Sequence, residues 1–130
     1  MEPPSAISEE SSLLAAARRD FLAFHLLAER TEAPEEVMFF LAQQAVEKVL
    51  KAVLAHRRIA FRRTHDLIEL SSLLSDRNLQ ELFPEELMIR LAPYAVEMRY
   101  TSIASPKVRL DEVTRAVTNL LEWAQVQVQQ

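Results

Sequence analysis

The sequence predicts an all-α protein, an antiparallel up-and-down helical bundle of four to five helices. Three observations lead there. The 130 residues include no glycine, which removes the usual residue for tight hairpin turns and for the left-handed caps that β-rich folds need repeatedly. Long segments repeat their apolar residues at the 3.6-residue helical period. The links between those segments are short, and short links make successive helices antiparallel neighbours.

The elements follow in order. Residues 1–10 read as a flexible, Pro-containing arm, and residues 11–128 as a single domain, since a chain of this length builds one core. Ser8 or Ser11 is suited to cap the first helix, with Glu9 and Glu10 at the positive end of its dipole. Leu14, Ala17, Phe21, Phe24 and Ala28 mark its inner face, whereas Leu22 and Leu26 fall on the far side beside Arg18, Arg19 and Arg30. Pro34 with Glu35 and Glu36 opens the second helix, because proline and acids favour a first turn.

That second helix is the most apolar. Leu41, Ala42, Ala45, Val46, Val49, Leu50, Ala52 and Val53 span nearly half its circumference, leaving Gln44, Glu47 and Lys51 on a narrow polar face with Phe40 in its middle. Thr64 is placed to cap a third helix carrying Leu67, Leu70, Leu73 and Leu74. A polar connection over 75–82 follows, with room for a helical turn. Pro84, Glu85 and Glu86 open the next helix, whose inner face is Leu87, Leu91, Tyr94 and Met98, and Pro93 is expected to kink or divide it. Ser105 and Pro106 look like the start of the last helix, with Val113, Val117, Leu120, Leu121, Ala124 and Val128 inward and Trp123 off that face.

Composition narrows function by exclusion. Without glycine there is neither a Rossmann fingerprint nor a phosphate-binding P-loop. Without cysteine there is no disulfide, thiolate nucleophile or cysteine-based zinc site. Three scattered histidines give no metal-ligand pair, so neither a metal nor a cofactor is expected. The acidic, polar start MEPPSAISEESS does not read as a signal peptide, and no apolar run approaches a membrane span. A cytoplasmic protein with no membrane partner is therefore expected. The net charge of −4 argues against wholesale nucleic-acid binding while leaving room for a local basic patch.

The string FFLAQQAVEKVLKAVL, over 39–54, followed by THDL at 64–67, resembles the HEPN domain (higher eukaryotes and prokaryotes nucleotide-binding). ARRDFLAFHLLAE, with Asp20, is similar to that family's first helix, and MRY at 98–100 resembles the Arg-Tyr preceding its final helix. The likeness covers about residues 13–125. It implies a helical bundle, commonly a homodimer, often paired with a minimal nucleotidyltransferase and sometimes acting as a toxin–antitoxin pair. It also implies nucleotide binding, and ribonuclease activity in some branches. Leu41 stands where the family often has His, and Thr101 where it often has Pro. The ribonuclease branch carries an Arg followed four to six residues later by His near a late helix. Here Arg99 precedes YTSIASPKVR, and no His occurs after His65. Arg19 and His25 have the spacing, but on the first helix.

Four groups of residues are candidates for function. Gln44, Glu47, Lys48 and Lys51 carry ligand-binding chemistry on the second helix, against the plainer reading of a Glu47–Lys51 helix pair. His65 and Asp66, with Arg99 and Tyr100, form the second group, against the plainer reading of a helix-capping turn. Arg57, Arg58, Arg62 and Arg63, with Phe61 among them, give the strongest local positive field, suited to a nucleotide or RNA. Leu22, Leu26, Phe40 and Trp123 lie off the main stripes and suggest a dimer interface. The leading expectation is a non-enzymatic module that binds a nucleotide or a partner protein. A metal-independent ribonuclease using His65 and Arg99 is the alternative, and a structural dimer without a small ligand is the third.

Overall fold

The computed structural model describes residues 4–96 and 108–129, and among these there are helices and no strands. Met98, Arg99, Tyr100, Thr101, Ser105 and Pro106 lie outside the described residues. Six α-helices are present among the described residues: α1 (Pro4–Ala28), α2 (Glu35–His56), α3 (Leu67–Leu74), α4 (Leu79–Leu82), α5 (Glu85–Leu91) and α6 (Leu110–Gln129), with a 3-10 turn at Ala92–Ala95.

The first helix starts at Pro4, ahead of the caps expected at Ser8 and Ser11. Proline is well suited to a first turn, where its missing N–H has no intrahelical partner to lose. Leu14, Ala17, Phe21 and Phe24 are buried as their period requires, Ala28 is partly buried, and Leu22 and Leu26 are each 58% exposed. Short links fold α2 back along α1, and three contacts confirm opposite directions. Glu10 reaches His56, Asp20 reaches Lys48 and the Phe24 ring lies tilted against Phe39, so early residues of α1 meet late residues of α2. Small side chains at Ala17, Ala42, Ala45 and Ala52, all fully buried, let the helix axes approach closely.

Helix α2 is the central element, packing on α1, α6, α3 and the 3-10 turn. Seven of the eight residues expected on its inner face are fully buried, and Leu41 is half-buried. Met38, Phe39 and Leu54 join them, because a helix with neighbours on several sides has little face left for water. Helix α6 runs in the same sense as α2, since Trp123 and Gln127 near its end meet Arg57 just past the end of α2.

The third leg of the bundle is segmented. Asp66, not Thr64, caps α3: its Oδ1 accepts from the N–H groups of Ile68 at 3.0 Å and Glu69 at 3.2 Å. Thr64 Oγ1 instead accepts the Asp66 N–H at 3.1 Å, closing the turn before the helix. Ser75 at φ 58° ends α3 in the left-handed conformation that glycine would otherwise supply. The connection over 75–82 contains the short α4. Pro84 starts α5, and Pro93 falls in the 3-10 turn that replaces its last turn, because proline cannot donate to an α-helical ladder. Leu87, Leu91 and Tyr94 are buried from this leg.

Trp123 corrects the sequence reading. It is 8% exposed and part of the hydrophobic core, so it does not contribute to an outer interface. The face of α6 that packs inward is wider than a single stripe, since α6 lies against both α2 and α1.

Candidate functional site

Gln43, Glu47 and Lys51 stand four residues apart and therefore one above another on α2. Gln43 is fully buried and Glu47 is 4% exposed. A buried carboxylate is costly unless donors surround it. Here Gln43 Nε2 donates to Oε1 at 3.2 Å, Lys51 Nζ donates to Oε2 at 2.9 Å, and His65 Nδ1 lies 2.9 Å from Oε1. The same Gln43 amide donates to the backbone carbonyl of His65 at 3.2 Å. One helix thus holds the ring and the main chain of His65 together. Beyond these contacts the side chain of His65 is 59% exposed.

The other site residues on α2 take different places. Gln44 donates to Gln43 Oε1 at 2.8 Å and so orients the amide behind the carboxylate, without reaching Glu47 itself. Lys48 lies apart from the ladder, with Nζ 2.6 Å from Asp20 on α1. Sequence reasoning chose Gln44 for the polar face and passed over Gln43. The 43, 47, 51 spacing is the signal that sets Gln43 on the same face as Glu47.

The four arginines of the link between α2 and α3 separate into two kinds. Arg57 grips Asp76 through two bonds of 2.7 and 3.1 Å, donates to Gln127 at 2.8 Å and sits 5.8 Å over the Trp123 ring. Its hydrogen bond to Asp76 raises an already high pKa and outweighs the opposing effect of partial burial, with the Asp76 charge a smaller contribution in the same direction. Arg62 grips Glu69 through two bonds of 2.7 Å each, which raises its pKa in the same way. Arg58 and Arg63 are exposed, and their side chains have no ion pair or hydrogen bond among the described residues. Arg58 adopts φ 59° at the end of α2, where Ile59 N–H bonds back to Leu54 at 2.9 Å and Arg58 N–H to Ala55 at 3.1 Å. Phe61, which lies among these arginines in the sequence, packs partly buried against the core.

On the opposite pair of helices, α1 and α6 form a groove of about 430 Å³ lined by Arg18, Phe21, Thr118, Leu121, Glu122, Gln125 and Val126. Leu22 and His25 border a smaller hollow beside it. His25 packs on Phe21 at 4.4 Å between centroids, and Arg19 is exposed. Phe40 on α2 is half-buried. Among the described residues no helix is long and apolar enough to cross a membrane.

A family model described as the HEPN domain matches residues 11–127, nearly the whole chain. The chain belongs to the HEPN domain family. No curated protein and no solved structure matches it. Family membership places this HEPN domain among nucleotide- and RNA-related modules in general terms. Within it, Gln43 and Glu47 of α2 meet His65 on the same link, residues 57–66, that carries Arg58 and Arg63, whose side chains have no partner among the described residues.

Proposed function

We propose that this HEPN domain is a nucleotide- or RNA-binding module whose contact surface is the link between α2 and α3. The observation that supports it is the division among the four arginines. Arg57 and Arg62 are each held by a carboxylate, whereas Arg58 and Arg63 are exposed with no such partner among the described residues. Unpaired guanidinium groups favour phosphate, which they bind bidentately. His65 follows Arg63 by two residues and is held in place by Glu47. The module would work as a homodimer through Leu22 and Leu26 and beside a minimal nucleotidyltransferase. Support for the first is the 58% exposure of both leucines, and for the second the family alone.

The test is fluorescence anisotropy with labelled oligouridine RNA and with an ATP analogue. Arg58→Ala/Arg63→Ala weakens binding by about tenfold or more if this surface makes the contact, two charge-assisted bonds being removed. Unchanged affinity in the double variant would place the ligand elsewhere. Co-purification of a nucleotidyltransferase from the native host tests the partner.

A second reading, a metal-independent ribonuclease, is favoured by the Glu47–His65 pair, because an oriented imidazole is what general acid–base chemistry requires. His65 Nε2 would take the proton of a ribose 2′-hydroxyl as its oxygen attacks the adjacent phosphorus. The 5′-oxygen would leave with a proton from water. RNA cleavage by purified protein, lost in His65→Ala, decides for this reading; intact RNA decides against it.

A further inference from the structure

We infer that Glu47 acts as a positioning residue that makes the His65 surface selective for a ribose 2′-hydroxyl. This rests on the reading that the α2–α3 link takes a nucleotide or RNA. A carboxylate can only accept, so the 2.9 Å contact between Glu47 Oε1 and His65 Nδ1 requires the proton to sit on Nδ1. Gln43 and Lys51 also donate to this carboxylate, which keeps it an acceptor. In the neutral ring the other nitrogen, Nε2, is then an acceptor only. Ring rotation cannot reverse this arrangement cheaply, because Gln43 holds the His65 carbonyl at 3.2 Å while Glu47 holds the ring.

An acceptor facing solvent selects a donor in its ligand. A phosphate oxygen carries no hydrogen at neutral pH and is a poor partner for it, whereas Arg58 and Arg63 are suited to phosphate. The donor on a nucleotide that lies beside the phosphate is the ribose 2′-hydroxyl, the group by which proteins tell RNA from DNA. His65 lies two residues after Arg63 in the chain, so one bound nucleotide would set its phosphate at the arginine and its hydroxyl at the imidazole. Glu47 touches no ligand in this scheme, since it is 4% exposed, and acts through the imidazole.

The experiment compares three ten-residue oligouridines at pH 8.5: ribose, 2′-deoxyribose and 2′-O-methyl. All three carry the same base and phosphates, and only the first has a 2′ donor. Ribose is expected to bind about tenfold tighter than the other two, the worth of one good hydrogen bond. His65→Ala is expected to abolish that preference while retaining the affinity due to the arginines. Glu47→Gln is expected to narrow it, because an amide either accepts or donates and no longer fixes the tautomer. Nitrogen-15 NMR of the wild-type imidazole gives an independent readout that does not depend on the variant folding. The Nδ1–H form is expected, and the Nε2–H form would overturn the inference. Equal affinity for the three oligomers also overturns it, while leaving phosphate binding by the link intact. Binding of none of them rejects the underlying nucleic-acid reading and this inference with it.

Discussion

Glu47 Oε2 lies 2.9 Å from Lys51 Nζ, one helical turn further along α2, and both side chains are largely shielded from water, at 6% and 16% exposure. A surface pair at this spacing stabilises a helix by about 0.3–0.5 kcal/mol. This one is different because Glu47 also accepts from Gln43 and His65. Removing the carboxylate strands an ammonium group and takes from a buried amide one of its two acceptors. Glu47→Ala is expected to cost about 2–3 kcal/mol, below the usual range for a fully buried pair because Lys51 keeps some access to water. His65→Ala is expected to cost less than about 1 kcal/mol, since its ring is mostly exposed. Urea unfolding of both variants checks the order, and a larger loss for His65→Ala would contradict it.

Arg57, at the end of α2, joins the α3–α4 connection through Asp76 to α6 through Gln127 and the face of Trp123. Trp123→Ala is expected to destabilise by about 3–4 kcal/mol, the range for an aromatic removed from a core. Arg57→Ala is expected to cost about 1–2 kcal/mol through the lost bidentate bond and ring contact. Folding raises the Arg57 pKa. Its contribution is therefore complete below the unfolded value and is lost only as pH rises through the still higher folded value. Since both lie far into the alkaline range, this guanidinium contributes no slope to stability between about pH 6 and 9. Thermal melts across that range, with and without Arg57→Ala, test the point: the difference between the two proteins stays constant.

Arg58 closes α2 at φ 59°, where the fold would ordinarily place glycine. A non-glycine residue is disfavoured there by about 1–2 kcal/mol, partly offset by the extra entropy that glycine loses on folding. Arg58→Gly is therefore expected to raise stability by up to about 1 kcal/mol while weakening ligand binding. A rise in the denaturation midpoint together with a loss of RNA affinity is the expected pair of results. A gain in stability with unchanged affinity would separate Arg58 from the ligand surface.

Much of this arrangement was legible in the sequence for a physical reason. The inner faces of α1, α2 and α6 follow one strong period, and burial of apolar groups at that period dominates the energetics. The segmented leg was less legible, since α4 and α5 are too short to establish a period of their own. Pro84 and Pro93 nonetheless marked its breaks. Trp123 was misplaced because α6 touches two neighbours, and a wheel with a single inner face cannot show a second. The pairings of Arg57 with Asp76 and Arg62 with Glu69 were not legible either. They depend on the path of a ten-residue link, not on helix geometry, and the division of the four arginines follows from them.

Leu22 and Leu26 stand one turn apart on the outer face of α1, each 58% exposed, and Leu22 lines the hollow beside the α1–α6 groove. If they form the homodimer contact, Leu22→Glu/Leu26→Glu yields a monomer at micromolar concentration, because four carboxylates would face each other across an apolar surface. Monomer stability is expected to change by less than about 0.5 kcal/mol, as these are surface positions. Sedimentation of the wild type and the double variant decides the matter. A monomeric wild type would remove the dimer from the proposal.

The division among the arginines also predicts how binding responds to salt. Each phosphate neutralised on a single strand contributes about 0.7 to the fall of log affinity with log salt. Arg58→Ala and Arg63→Ala are therefore each expected to lower that slope by about 0.7, and the double variant by about 1.4. Arg57→Ala and Arg62→Ala are expected to leave it nearly unchanged, because Asp76 and Glu69 already neutralise those charges. Titrations of oligouridine RNA at a series of potassium chloride concentrations measure all four. The comparison works because net charge changes identically in every single variant. A slope that fell equally for all four would mean that the link acts only as a diffuse positive field, with no distinction between held and free guanidinium groups.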